Sequence, residues 1–413
     1  LSREAWIIDT ARTPRGIGKQ GKGSLAHLHP QQLAATVLKA LESRNGINTA
    51  EVDDIVWGCS SQKGKQGGCI GRMSALDAGW STAASGVTLD RFCGSGITAV
   101  NMAAASIMSG MEDLVVAGGI EMMSYTPTVP PVEGAGGMDA GNLHLRDLHP
   151  QPHQGLCADI IATQEGITRE QVDQLAFESQ QRAKHAIEQG YFKRSVVPVH
   201  DYDGKLCLDH DEFPRPQTTL EGLAQLPAVF ANFMGVPFDD TGETFEALIR
   251  RAHPDIDINH IHHAGNSSGV VDGSAALLLA SPEYAKGQGW KPRARIVAMA
   301  NAAGSPELML NEPGPAARKV LKKAGMTIDD IDLFEINEAF AVVAYKFMRD
   351  LNLDPAKCNV NGGAIALGHP IAATGSILIG TVLDELERRG QSLGLVTMCA
   401  AGGMAPAIII ERI

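Results

Sequence analysis

Cys93 lies in VTLDRFCGSGITAV, behind an apolar run and just before a helix that the pattern starts near Gly96. The first turn of a helix offers unpaired N–H groups and a partial positive charge, which stabilise a thiolate and depress its pKa. Gly94 and Gly96 permit a sharp turn and close approach of a ligand to the backbone. The other reading of such a cysteine is a buried, inert small hydrophobe. His369, in GGAIALGHPIAATG, also stands at the mouth of a helix. It is either a hydrogen-bonded structural residue or, if the two helix mouths face each other, the imidazole that activates the Cys93 sulfur. Cys399 closes an apolar strand in VTMCAAGGMA. A thiol there could serve as an acid/base group, with backbone N–H groups beside it to hold an oxyanion, or lie buried and inert. Asn337, in FEINEAF, has the spacing of an ordinary helix N-cap.

Two similar frameworks carry these residues. The stretch from Leu33, LAATVLKALESRNGINTAEVDDIVWGCSS, and that from Ala316, AARKVLKKAGMTIDDIDLFEINEAF, both run helix, glycine, short acidic link and apolar strand. Gly46 and Gly325 suit helix C-caps, and the strands begin near Asp54 and Asp332. Beyond them, CGSG opens a helix over Ile97 to Met108 before the strand from Leu114, while GHPIAATG opens one around Ser376 to Glu387 before the strand from Leu393. The copies read as duplicated halves of an α/β fold. Between them the chain changes character, with a Pro-Pro pair at Pro130, a glycine-rich turn from Gly134 to Gly137 and many histidines. One helix is clear there, from a capping box at Thr168 and Gln171 to Gln189, with Val172, Leu175, Ala176, Ala183 and Ile187 on a common face. The expected division is 1–124, resuming at about 258–290, for the first half, 125–257 for an inserted loop domain, and 291–413 for the second half.

Of 413 residues, 44% are hydrophobic and 20% charged, enough for a large core in two or three domains. The formal net charge of −12 argues against general nucleic-acid binding and means that an anionic ligand needs a locally basic mouth. Seven scattered cysteines read as free thiols rather than a secreted disulfide framework. No apolar stretch is expected to span a membrane, and Leu1 to Ile8 lack the layout of a signal peptide, so a cytoplasmic protein is expected. His260, His262 and His263 invite a metal reading, but alternate members of a strand face one side and no carboxylate or thiol is expected to complete the set, so no metal is expected. The Asn266-Ser267-Ser268 sequon is one that an intracellular chain would not use, and the Gly-rich stretches at Gly16 to Ser24 and Gly64 to Gly68 lack the phosphate-loop spacing.

Taken together, DRFCGSG, NEAF, GHP and the terminal Cys-x-x-Gly-Gly resemble the thiolase family, and IIDTARTPRG and HHAGNSSGVVDGSAA extend the likeness over essentially the whole chain. The resemblance implies a five-layer αβαβα fold of two duplicated halves with an inserted loop domain, assembled as a homodimer or homotetramer. It also implies cleavage of 3-ketoacyl-coenzyme A by coenzyme A to acetyl-coenzyme A and a shortened acyl-coenzyme A, or the reverse Claisen condensation. Coenzyme A is then a co-substrate, and no tightly bound cofactor is expected. By the same likeness Cys93 is the residue acylated, His369 its base, and Cys399 the acid/base for carbon and sulfur. Asn337 stands behind a water that binds the thioester oxygen with His369, and the N–H groups of Cys93 and Ala401 form a second oxyanion hole. Coenzyme A contacts are implied for Arg215, Ala264, Ser268, Ala339, Phe340 and His153.

Three departures carry expectations. Ala401 replaces a common glycine and would be costly if φ there must be positive. Gly222 replaces a serine that contacts coenzyme A in some members. The segment Ala231 to Asp257, with the helix-like ETFEALIRRAH, is longer than usual and is expected near the pocket, shaping it for an acyl group longer or bulkier than acetoacetyl. An acetoacetyl-specific biosynthetic enzyme and a non-catalytic acyl-coenzyme A or lipid carrier are the alternatives. Decarboxylating ketoacyl synthases pair one Cys with two His, and Cys399 with the GHP motif speaks against them.

Overall fold

The structure, a computed structural model, describes residues 3–129 and 136–413. Leu1, Ser2, the Pro-Pro pair at Pro130 and the start of the glycine turn at Gly134 lie outside these residues. The strands are β1 (Trp6–Arg12), β2 (Gly16–Ile17), β3 (Asp54–Gly58), β4 (Val87–Leu89), β5 (Leu114–Met122), β6 (Val199–His200), β7 (Leu206–Leu208), β8 (Val271–Ala280), β9 (Ala294–Ala303), β10 (Leu333–Ile336), β11 (Leu393–Thr397) and β12 (Met404–Arg412). In the large sheet they run β10-β11-β12-β9-β1-β8-β5-β3-β4, with β2 on β8, while β6 and β7 pair separately. The duplication appears as a symmetry of this order. Going outward from the middle, β1, β8, β5 and β3 match β9, β12, β11 and β10 in both place and direction, with β3–β5 and β10–β11 parallel and the rest antiparallel. In the sheet the halves meet where β1 pairs with β9, at Trp6 with Arg295 and Ile7 with Ala294.

Strand alternation divides the core. Val115, Ala117, Leu277 and Leu279 face inward together with Val396, Ile408 and Ile410 and the helices Ser95–Ser109 and Thr374–Arg389. Their neighbours Leu114, Val116 and Leu278 face the helix Pro30–Asn45 on one outside. Leu395, Ala407 and Ile409 face the helices Pro313–Ala324 and Ala341–Asp350 on the other. Period-two side chains on strands buried on both faces give three apolar interlayers, and hence five layers. The two inner helices meet closely at their N-terminal ends, where Ser376 Oγ also donates to the Gly96 carbonyl at 3.3 Å. A Cβ on Gly96 would lie 2.7 Å from the Ala372 carbonyl oxygen, and one on Gly375 would lie 2.3 Å from the Ile97 nitrogen. The stretch Phe92–Ser109 does reach, by length and composition, what a membrane span requires, correcting the expectation that none does; most of it is buried inside this core.

Local signals in the sequence predict the element ends well. Gly46 and Gly325 cap their helices at φ +62° and +67°, and Thr168 and Gln171 form the capping box of the helix Arg169–Glu188. Ile187 departs from the expected apolar face, being 42% exposed. Asn337 caps no helix: the next one starts at Ala341 after Phe340.

The long segment after Ala231 is folded and anchored. Its helix, Phe245–Ala252, is capped by Thr244, and its turn supplies Asp239 and Glu243 to the guanidinium of Arg146, which also holds Asp139 at 2.8 Å. Arg146 is 1% exposed, and Phe238 lies over its guanidinium at 4.7 Å. Removing a buried cation strands its carboxylates. Arg146→Met is therefore expected to lower the melting temperature at pH 7. Arg146 holds the Asp139 carboxyl below its ordinary value, so the stability from this contact is complete above roughly pH 4 and is lost as pH falls through the folded value. The gap between variant and wild type should narrow in acid, as followed by thermal melts across pH.

Candidate active site

Parallel strands deliver the site from their carboxyl ends. The chain leaves β4 through Asp90, whose carboxylate accepts from Phe92 N at 2.6 Å, and Phe92 takes a φ of +48°. Such a conformation costs a non-glycine residue of order 1–3 kcal/mol. Ser95 Oγ bridges the turn, accepting from Arg91 N at 2.8 Å and donating to the Phe92 carbonyl at 2.7 Å. These bonds set Cys93 at the mouth of the helix Ser95–Ser109, 6% exposed. In the other half, the pairing of Ile336 with Thr397 makes β10 and β11 end together, and Asn337 N donates to the Thr397 carbonyl at 3.3 Å. Asn337 and Cys399 therefore leave the sheet side by side.

Gly368 makes the approach to His369. Its φ of +95° is one that L side chains rarely adopt, and a Cβ there would lie 2.4 Å from Val271 Cγ1. Its N–H donates to the Ala364 carbonyl, and the next N–H, of His369, donates to the Gly269 carbonyl at 2.9 Å. The imidazole is held at both nitrogens, with Nδ1 2.6 Å from Thr374 Oγ1 and Nε2 3.5 Å from Asn337 Nδ2. With the amide N–H of Asn337 donating to Nε2, the ring proton sits on Nδ1, and the Nε2 lone pair is the basic site. Asn337 Oδ1 is buried and makes no hydrogen bond among the described residues.

Cys93, His369, Cys399, Ala401, Ser268, Ala339 and Phe340 line one small cavity. Two loops close it: Ser268 N donates to the Ala339 carbonyl at 3.0 Å and Ala341 N to that of Asn266 at 2.9 Å. Met123, Gln154, Gly269, Val270, Leu310 and Ile371 complete its wall, and of these Met123 and Leu310 lie outside every sequence motif. Among the described residues, neither Cys93 N nor Ala401 N donates to another group. Ala401 does not have positive φ; Gly402 and Gly403 take that conformation, at +75° and +74°. Alanine therefore fits this turn without backbone strain.

The electrostatics correct one expectation. Burial, aided by nearby Cys399 and Glu121, pushes the Cys93 thiol up despite its place at a helix mouth, so the resting sulfur is protonated. Burial likewise raises Cys399, to about 12, whereas burial and the charge of Arg15 lower His369 to about 3. At rest the centre is two thiols and a neutral imidazole. A thiolate at either sulfur would have to be made by proton transfer.

Arg215 and Ala264 do not share this cavity. They line a second one with Phe213, Gly222 and Leu223, where Arg215 is exposed and lies 5.7 Å from the Phe213 ring. The two cavities abut, because a Cβ on Gly269 of the inner wall would lie 2.3 Å from Phe213 of the outer one. At Gly222 the N–H is taken by Thr219 Oγ1 at 3.1 Å. His153 is absent from either wall. It caps the helix Gln154–Glu165 and stacks on Phe233 at 4.6 Å, one residue from the lining residue Gln154.

The histidine cluster does find carboxylates, contrary to the sequence expectation, because helices of the loop domain bring them. His260 and His262 share Asp159, each at 2.7 Å, and His263 meets Asp173 at 2.9 Å. These pairs tie the segment before Ala264 to the helices Gln154–Glu165 and Arg169–Glu188. No group of three or more possible metal ligands occurs among the described residues.

Comparison with known proteins agrees with this geometry. The thiolase N-terminal domain matches residues 5–236 and the thiolase C-terminal domain residues 290–412. The chain is 39% identical to a beta-ketoadipyl-CoA thiolase of Acinetobacter baylyi over 100% of both chains, and 37% identical to a 3-ketoacyl-CoA thiolase of Aliivibrio fischeri over 98% of both. The crystal structure of the Bacillus anthracis acetyl-CoA acetyltransferase superimposes with a TM-score of 0.85 at 33% identity, covering 100% of this chain and 99% of that one. A doubled fold with two cysteine turns opening on one imidazole thus has full-length counterparts in sequence and in structure, and the chain belongs to the thiolase family, as an acyltransferase that cleaves 3-ketoacyl thioesters with coenzyme A.

Proposed function

We propose that this thiolase acts on 3-ketoacyl-coenzyme A esters whose acyl group is uncharged and longer or bulkier than acetoacetyl. The observation that carries this reading is the aromatic layer that the long segment and the adjoining Phe230 place behind Phe340 of the inner cavity. Phe233 and Phe245 pack on His153, and Phe230 meets Phe340 of the inner cavity edge-on at 5.7 Å. Lys and Arg are absent from the described lining of that cavity, which favours a neutral tail over a carboxylate-ended one.

In the degradative direction His369 Nε2 takes the Cys93 proton, and the thiolate attacks the 3-keto carbon. The oxyanion lies between the N–H groups of Cys93 and Ala401. The C2–C3 bond then breaks, leaving the acyl group on Cys93. Cys399 gives its proton to the departing acetyl-coenzyme A carbanion, whose thioester oxygen is held by His369 and a water on Asn337. Coenzyme A then gives its thiol proton to the Cys399 thiolate and attacks the Cys93 thioester, and Cys93 leaves as a thiolate that takes its proton back from His369. Arg215, Ala264, Ser268, Ala339 and Phe340 hold the coenzyme A arm, the exposed Arg215 supplying positive charge to a phosphate in an acidic protein. The fold supports a division into 1–124 with 258–290, 125–257 and 291–413, since β8 lies between β1 and β5. A cytoplasmic homodimer or homotetramer completes the proposal.

A panel of 3-ketoacyl-coenzyme A thioesters tests the substrate class. Medium or branched acyl groups should exceed acetoacetyl-coenzyme A in kcat/KM, and Phe233→Ala should narrow that preference. Removing part of an apolar wall changes discrimination by about 1–3 kcal/mol, roughly 10–200-fold. A wild type fastest on acetoacetyl-coenzyme A, or a Phe233→Ala profile identical to wild type, would remove the idea.

A further inference from the structure

The segment after β1, Thr13 to Gly16, carries a buried arginine that the steps above do not use. Arg15 is 4% exposed. Its Nη1 donates to the Gly368 carbonyl at 3.1 Å, on the peptide that leads into His369. Its own N–H donates to Asp211 Oδ1 at 2.9 Å, and Asp211 also takes both guanidinium nitrogens of Arg12, at 2.7 and 2.8 Å. Its carbonyl accepts from Glu212 N at 2.9 Å. Residues from the loop domain therefore grip the backbone of Arg15 while its head reaches the other half of the protein.

We propose that Arg15 is a positioning residue for His369: it pins the Gly368–His369 peptide and places a fixed positive charge behind the imidazole. This rests on the reading of His369 as the base. Three bonds hold that peptide and its neighbours, from Gly368 N to Ala364, from His369 N to Gly269 and from Arg15 to the Gly368 carbonyl. Only the last comes from an ion. Among the described residues, the titratable groups around the imidazole are Cys93 and Cys399 from the two cysteine turns and Arg15 from the segment after β1. Glu335, in β10, faces Arg15 but is buried and driven well above the usual carboxylate range, so it does not cancel the charge. Asp211 is already shared with Arg12. Arg15 itself, lowered to about 10 by burial and by Arg12, stays protonated at neutral pH.

A base works only while deprotonated, so activity falls as pH drops through the pKa of His369; lowering that pKa moves the acid limb to lower pH. Arg15→Met should therefore shift the acid limb of kcat/KM upward by about one unit or more, costing roughly 10-fold at the foot of the limb. It should also reduce kcat at the plateau, and Arg15→Lys should bring the limb back toward wild type. A folded Arg15→Met with the wild-type limb, or a shift that Lys leaves uncorrected, overturns the proposal. If Arg15→Met does not fold, the wild type decides: NMR of labelled histidine should show a neutral His369 ring at pH 5.5, and an ordinary imidazole titration near pH 6.5 overturns the proposal. His369→Gln separates the two readings. Turnover that survives it defeats the base assignment, whereas its loss together with an unmoved Arg15→Met limb defeats this inference alone.

Discussion

Cys93→Ala should yield a folded protein that still binds acyl-coenzyme A esters but turns them over at least about 10⁴-fold more slowly, because in the proposed mechanism Cys93 carries the acyl group between the two half-reactions. Cys399 is the nearest alternative sulfur, yet it sits beside Ala401, across the proposed oxyanion site, and is 1% exposed. Cys93→Ser is expected to recover little, since a buried hydroxyl is harder to deprotonate than the thiol it replaces. Steady-state thiolysis, with mass spectrometry of the denatured protein for an acyl adduct, checks the prediction. Turnover within tenfold of wild type in Cys93→Ala, or an adduct on another cysteine, would contradict it and point to a different nucleophile.

Cys399→Ala should divide the chemistry rather than abolish all of it. The Cys93 thiol should still be alkylated by iodoacetamide, while cleavage and condensation lose about 10²–10⁴-fold, the usual share of a positioned acid/base group. Its thiol, pushed up to about 12 by burial, remains protonated across the working pH range, which suits it to give a proton to a carbanion and then recover it. The most specific readout is exchange of the methyl protons of acetyl-coenzyme A in deuterated buffer. Exchange should stop in Cys399→Ala and persist in Phe233→Ala. Undiminished exchange would move the acid/base role to another group.

Local rules wrote much of this molecule legibly. Helix ends at Gly46, Gly325 and Thr168 and the strands at Asp54, Leu114 and Leu333 depend on capping and alternation within a few residues of chain. The duplicated order of strands was visible as a repeated motif, and with it the idea that two helix mouths meet. Where the reading failed, the cause lay at long range. Asp159 and Asp173 reach the histidines from helices about a hundred residues away, and the pocket wall takes Leu310 from a loop and Gln154 from the start of the helix Gln154–Glu165. At Cys93, helix-mouth polarity is a local property legible in the sequence, whereas the burial that pushes the thiol up comes from the whole fold. Ile187, apolar by type, is left 42% exposed, as single surface apolar residues often are.

Gly96 and Gly375, which touch backbone to backbone between the inner helices, set a ruler for the reaction. The sulfur hangs from one helix and the imidazole from the segment feeding the other, so their separation is fixed by atomic radii rather than by rotamers that could repack. A single methyl at either glycine would wedge the duplicated units apart. Displacements of about 1 Å between reacting groups can cost about 10²-fold in rate. Such a variant would lose catalysis while keeping every reactive side chain.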